Sequence, residues 1–105
     1  MSRYQVVFSA TALRSLREVA RYIADDAGSD RARNWLATIK ESTATLEAHP
    51  QAFPVVGRFE GEAIHARFVL RHVLYYFIDE SAHVVILIDI VHTARATVRQ
   101  RYEEM

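Results

Sequence analysis

Residues 72–91 read HVLYYFIDESAHVVILIDIV, and this stretch decides the fold. An aromatic run over 72–78 and an aliphatic run over 84–91 flank the polar segment 79–83, the pattern of two strands joined by a turn. They predict a central antiparallel hairpin. Upstream, residues 64–78 contain no Gly, Pro, Asn or Asp, yet a single strand of that length would be unusual in so small a domain. A tight reversal is therefore expected at residues 69–71. At the other end of the chain, residues 4–8 (YQVVF) form a short β-rich run, with Ser9 placed to cap a helix.

That first helix carries Leu13, Leu16, Ala20, Ile23 and Ala27 at three- and four-residue steps and stops at Gly28. Asp30 is expected to cap a second helix with the stripe Ala32, Trp35, Leu36, Ile39, Thr43 and Leu46, closed by His49 and Pro50. So short a link makes the pair an antiparallel hairpin. Residues 50–61 (PQAFPVVGRFEG) hold both prolines and two of the three glycines, and read as a connecting loop rather than an element. Residues 93–105 are polar and read as a short helix or a frayed end. The order β, α, α, β, β, β predicts an α+β fold: an N-terminal strand and an antiparallel helical hairpin packed on a small, mainly antiparallel β-sheet.

With 105 residues, 50% hydrophobic and 25% charged, the chain suits one domain spanning 1–105 with a single core. No apolar run approaches the roughly 18 residues of a membrane span, and no signal-peptide pattern opens the sequence, so a cytoplasmic protein with no membrane role is expected. The absence of cysteine excludes disulfides, thiol nucleophiles and cysteine-based zinc sites. Thirteen basic residues balance thirteen acidic ones, which leaves no global field to gather nucleic acid. Lys40 is the single lysine; a cationic set made otherwise of arginine suits bidentate contact with carboxylate or phosphate better than proton transfer.

The five histidines show no HxxxH spacing and no flanking carboxylate set, so no metal site and no cofactor is expected. Strand alternation places His92 with Ile86, Ile88 and Ile90, and Asp89 on the opposite face with Val85, Leu87 and Val91, which separates the two. Arg67 and Arg71 flank the expected reversal, with Tyr75 and Tyr76 in the next strand and Arg58 in the loop. They could converge as an anion-binding patch, or the tyrosines could pack in the core beside solvated arginines. Arg14, Arg17 and Arg21 form a row beside the first helix's apolar stripe, a solvated face or a docking face for an acidic partner.

The ordered set YQVVFS, ALRSLREVARYIADDAGSDRA, LEAHP, FPVVG, Arg67, VLYYFID and VVILIDIVHTAR resembles the ParE/RelE superfamily of toxins from bacterial type II toxin-antitoxin modules. The likeness spans roughly residues 4–95, and the long hairpin and the HP…P..G loop look more like the ParE branch. That branch implies an inhibitor of DNA gyrase, of the plasmid-stabilisation type, without chemistry of its own and neutralised by a ParD-like antitoxin. The RelE branch implies a ribosome-dependent mRNA endoribonuclease, for which Glu62 (or Glu60), Arg67 and His92 would be the catalytic set. A third alternative is an inactive member that retains antitoxin binding. Direct nucleic-acid binding is expected only for the nuclease. The sheet has no lysine, and Phe77 follows the strand tyrosines where a basic residue is often found in both branches; both departures weaken the RelE reading. On the ParE reading, Arg58, Arg67, Arg71, Tyr76, His92 and Arg95 are the target-contact candidates, and Arg14, Arg17, Arg21 and Trp35 the antitoxin-binding candidates.

Overall fold

The computed structural model describes residues 3–95, and the expected short helix or frayed end over 93–105 lies, beyond residue 95, outside them. Strand β1 (Gln5–Phe8) runs into helix α1 (Ala10–Ala27), and Ser9 caps the helix as expected: its Oγ accepts the Ala12 N–H at 3.0 Å. Gly28, at φ 99°, ends α1 by donating its N–H to Ala24 O at 3.0 Å. Helix α2 (Ser29–Ala48) starts at once with the same glycine as its N-cap. Asp30 is therefore not the cap; it stands inside the first turn and pairs with Arg33. His49 closes α2, and Pro50 begins a single 3-10 turn (Pro50–Ala52).

α2 buries Ala32, Trp35, Ile39, Ser42 and Leu46, steps of three and four that keep one face inward. Ser42 takes the place expected for Thr43 and satisfies its hydroxyl by donating to Thr38 O. Leu36 lies at the margin of that face, 37% exposed. α1 turns Ala12, Leu16, Val19, Ala20 and Ile23 to the core, whereas Leu13 and Ala27 lie toward solvent.

The sheet has five strands, not four: β2 (Val55–Phe59), β3 (Glu62–Val69), β4 (His72–Asp79) and β5 (Val84–His92) join β1 in the order β1-β5-β4-β3-β2. β1 pairs with β5 in parallel and the other pairs are antiparallel. Residues 50–61 are thus not a plain loop. Their second half is β2, an edge strand with a register shift between Val55 and Gly57, and edges tolerate the Pro, Gly and bulges that hid it. Glu60 and Gly61, at φ 52° and 83°, turn the chain into β3. The reversal at 69–71 stands as expected, with Val69 paired to His72 and Leu70 at φ 55°. Asp79 Oδ1 accepts from Ala82 N and Ser81 Oγ and so shapes the turn before β5.

The core lies between hairpin and sheet, where Trp35, Ile39, Leu46, Leu74, Tyr76, Val85, Leu87 and Ile90 pack together. A second cluster, Ile64, Ala66, Val73 and Tyr75, takes alternate positions of β3 and β4. Simple alternation fails in β5. Tyr75 pairs with Asp89 but Tyr76 pairs with Leu87, so Ile88 is an extra residue, a β-bulge. Ser9 Oγ donates to Ile88 O at 3.0 Å, and Ser15 Oγ donates to Asp89 Oδ1 at 2.7 Å. The bulge is thereby tied to α1 at two points, and it decides where Asp89 and His92 stand.

Candidate functional site

An open cavity of about 1230 Å³ lies between the hairpin and the ends of β4 and β5. Its sheet side carries Arg71, His72, Asp89, His92 and Arg95; its helix side carries Glu18 and Asp26 from α1 and Arg31 and Trp35 from α2. Beyond the bulge, Ile90 joins Val85 and Leu87 in the helix-side core, and Asp89 reaches Ser15 of α1. The expected separation of Asp89 and His92 onto opposite faces is therefore overturned: both line this cavity. Asp89, 4% exposed, also accepts the N–H of Ile90 at 2.8 Å, so its carboxylate is engaged structurally.

His72 and His92 are cross-strand partners, their rings 5.1 Å apart and nearly perpendicular. The His72 ring also meets Trp35 edge-on at 5.2 Å. Burial, then the neighbouring His92 and Arg95, hold the His72 pKa below the usual imidazole value, because each disfavours the cationic form. His72 Nδ1 and Trp35 Nε1 have no hydrogen-bond partner among the described residues. Neither His72 nor Ser15 was singled out from the sequence. At the rim, Thr93 N–H donates to Arg71 O at 2.8 Å, so the β3–β4 turn and the exit of β5 lie side by side. This brings Arg71, His92 and Arg95 together.

A second cluster holds the segment before β2. Tyr76 donates its hydroxyl to Pro50 O at 2.5 Å, His65 Nδ1 lies 2.7 Å from Phe53 O, and the two rings stack at 5.1 Å. Arg67 lies over the Phe53 ring at 4.5 Å, with Nε and Nη1 unpartnered among the described residues. Burial raises the Tyr76 pKa well above the ordinary phenol value, with Arg67 pulling it partly back. Tyr76 is fully buried with its hydroxyl committed, so it is a core residue here and not a surface contact. Trp35, 6% exposed, is likewise core, forming part of the cavity wall.

The remaining candidates do not form a single patch. Arg58 is exposed on the edge strand opposite Ala63, and Tyr75 packs with Ile64, Ala66 and Val73, away from Tyr76. Arg14, Arg17 and Arg21 line a shallow depression with Leu13 and Glu18. Glu62 opens β3, whereas His92 lies in the Val69–His72–His92 row at the other end of that strand. Seven residues at roughly 3.3 Å each separate Glu62 from that row by about 23 Å along the sheet. Glu60 is further still, in the turn. Arg67 and His92 are drawn to different clusters, so the catalytic set expected for a nuclease does not assemble.

The helical hairpin on a five-stranded mixed sheet is the RelE/ParE-like fold. The chain belongs to the family described as ParE toxin of type II toxin-antitoxin system, parDE, whose model matches residues 6–97. No curated protein matches it in sequence. Among solved structures it is similar to a chain of the chromosomal ParDE system from P. aeruginosa, with TM-score 0.71, 11% identity, and coverage of 86% of this chain and 96% of that one. A chain of the RelBE2 toxin-antitoxin complex from Mycobacterium tuberculosis gives TM-score 0.63 at 21% identity, covering 86% and 98%. A chain of the archaeal RelE-RelB complex from Pyrococcus horikoshii OT3 gives 0.59 at 14%, covering 90% and 99%. Among the described residues, no helix is long and apolar enough to cross a membrane, and no group of three or more His, Cys, Asp or Glu could hold a metal ion.

Proposed function

We propose that this ParE-family toxin acts by binding rather than by chemistry, as an inhibitor of DNA gyrase neutralised by a cognate antitoxin. The observation that carries this reading is the dispersal of Glu62, Arg67 and His92. Cleavage of RNA needs a group to activate the ribose hydroxyl, cations on the phosphate and an acid for the leaving oxygen, all within hydrogen-bond reach. Here Glu62 lies about 23 Å along the sheet from the His92 row. His92 Nδ1 already accepts the Ala94 N–H at 3.0 Å, so the free ring nitrogen of the neutral imidazole, Nε2, carries the proton and cannot take another.

For a binding protein the exposed cations matter instead. Arg71 and Arg95, beside His92, form a cationic rim suited to carboxylates of a protein target. Arg58 on the edge strand offers a further contact. The exposed row Arg14, Arg17 and Arg21 is the surface we assign to an acidic antitoxin segment, and the ParDE and RelBE assemblies named above are the precedent for such a partner. Translating ribosomes supplied with labelled mRNA test the reading. Intact mRNA in the presence of purified toxin is expected; cleavage that disappears on changing His92→Ala contradicts it.

A further inference from the structure

The chain leaves β5 through a turn that an imidazole holds in place. His92 Nδ1 accepts the Ala94 N–H at 3.0 Å, and His92 O accepts the Arg95 N–H at 2.9 Å. Asparagine and aspartate commonly make this bond, to the N–H two residues on, with a side-chain oxygen. Here a ring nitrogen takes the oxygen's place, and it can accept only while it keeps its lone pair. The contact therefore specifies neutral His92 with its proton on Nε2.

We propose that His92 is a proton-operated latch: the neutral ring braces the turn of residues 93–95, and with it Arg95 at the cavity rim, and protonation at Nδ1 removes that brace and loosens the turn, leaving it held by the Thr93 N–H bond to Arg71 O and the Arg95 N–H bond to His92 O. The proton comes from solvent and converts the acceptor into a second donor facing the Ala94 N–H, so the bond breaks and two like dipoles oppose each other. The new charge also meets its surroundings. From β4 and the turn before it, the buried neutral ring of His72 and the Arg71 guanidinium face the same cavity. From β5 and its exit come Asp89, already bonded to Ser15, and Arg95; across the cavity stand Glu18 and Asp26 of α1 and Arg31 of α2. A third cation beside Arg71 and Arg95 repels both, whereas Glu18 and Asp26 attract the Arg95 side chain across the cavity. Charge redistribution thus acts in the same direction as loss of the hydrogen bond. The effect is one of regulation at the rim and does not depend on which target the toxin binds.

Nitrogen-15 spectra of the imidazole rings, together with the Ala94 amide, followed from about pH 8 to about pH 5, cover the range in which histidines titrate. At the upper end the expected ring state is Nε2–H with a bare Nδ1. On acidification the Ala94 amide is expected to shift with the His92 ring's own midpoint, and its solvent exchange to rise roughly five-fold beyond the intrinsic pH effect, the scale of one such bond. In His92→Asn the side-chain oxygen keeps the acceptor without titrating, so the Ala94 amide shift should stay constant over the range and its exchange should follow the intrinsic pH effect alone. An Nδ1–H tautomer in the wild-type protein at the upper pH overturns the latch, whatever the variant does. So does an Ala94 transition that persists in His92→Asn.

Discussion

Replacing His72 with leucine should flatten the acid side of the protein's stability profile without weakening it at neutral pH. His72 is 7% exposed, its Nδ1 has no partner among the described residues, and burial, His92 and Arg95 all lower its pKa. A folded-state pKa below the unfolded value, about 6.5 for histidine, means that the unfolded chain takes up the proton first as pH falls. The stability tied to neutral His72 is therefore complete above about pH 6.5 and is lost below it until the folded pKa is passed. The loss approaches at most about 1.4 kcal/mol per pH unit for one proton. At pH 7.5 the substitution removes a buried nitrogen lacking a partner, worth about 1–3 kcal/mol, and gives up edge contacts with Trp35 and His92 worth about 0.5–1.5 kcal/mol each. The two offset, so near-equal stability is expected there. Urea unfolding of both proteins at pH 7.5, 6.5 and 5.5 reads the outcome. At pH 5.5 the wild type should have fallen behind the leucine variant by up to about 1.4 kcal/mol. Parallel decline of the two proteins would refute the argument.

Leu70 holds φ 55° while 70% exposed, a strain of about 1–2 kcal/mol, so Leu70→Gly should raise Tm by a few degrees after the added unfolded-state entropy is subtracted; a fall in Tm by calorimetry contradicts this. Ser15→Ala removes a donor from the 4%-exposed Asp89 carboxylate, and should cost about 1–3 kcal/mol in denaturant unfolding; an unchanged midpoint would mean that the bond contributes nothing. Tyr76→Phe leaves the ring in the core but strips the bond to Pro50 O, with an expected loss of about 1 kcal/mol and none of the larger cost of a cavity. Charge reversal at the rim, Arg71→Glu with Arg95→Glu, should weaken gyrase inhibition by about ten-fold, with a salt dependence reduced from that of the wild type; unaltered inhibition would remove the rim from the target surface.

The helices were legible because their signals are local. Ser9, Gly28 and the His49–Pro50 pair marked three boundaries, and the spacing of apolar residues gave the buried faces to within about one residue. The central hairpin was legible for the same reason, since two apolar runs flank a polar turn. β2 was not, because an edge strand bracketed by Pro54 and Gly61 with Gly57 inside carries loop composition. The site depended on one residue of register. From the Asp79–Val84 pair alone, His72 would meet Val91; the extra Ile88 moves its partner to His92 and turns Asp89 toward α1. Nothing in VVILIDIV marks Ile88 as the bulge, since its anchors, Ser9 and Ser15, lie more than seventy positions earlier. The burial of Trp35 was legible from its place in the α2 stripe, whereas Tyr76 was left open between core and contact surface, because an aromatic side chain serves either with the same letters.

Adding the purified toxin to DNA gyrase in an ATP-driven supercoiling assay tests the proposed inhibition by binding. Supercoiling is expected to stop in proportion to toxin added and to be restored when the cognate antitoxin is supplied. Undiminished supercoiling with toxin in excess, at concentrations that halt growth on expression, would contradict it.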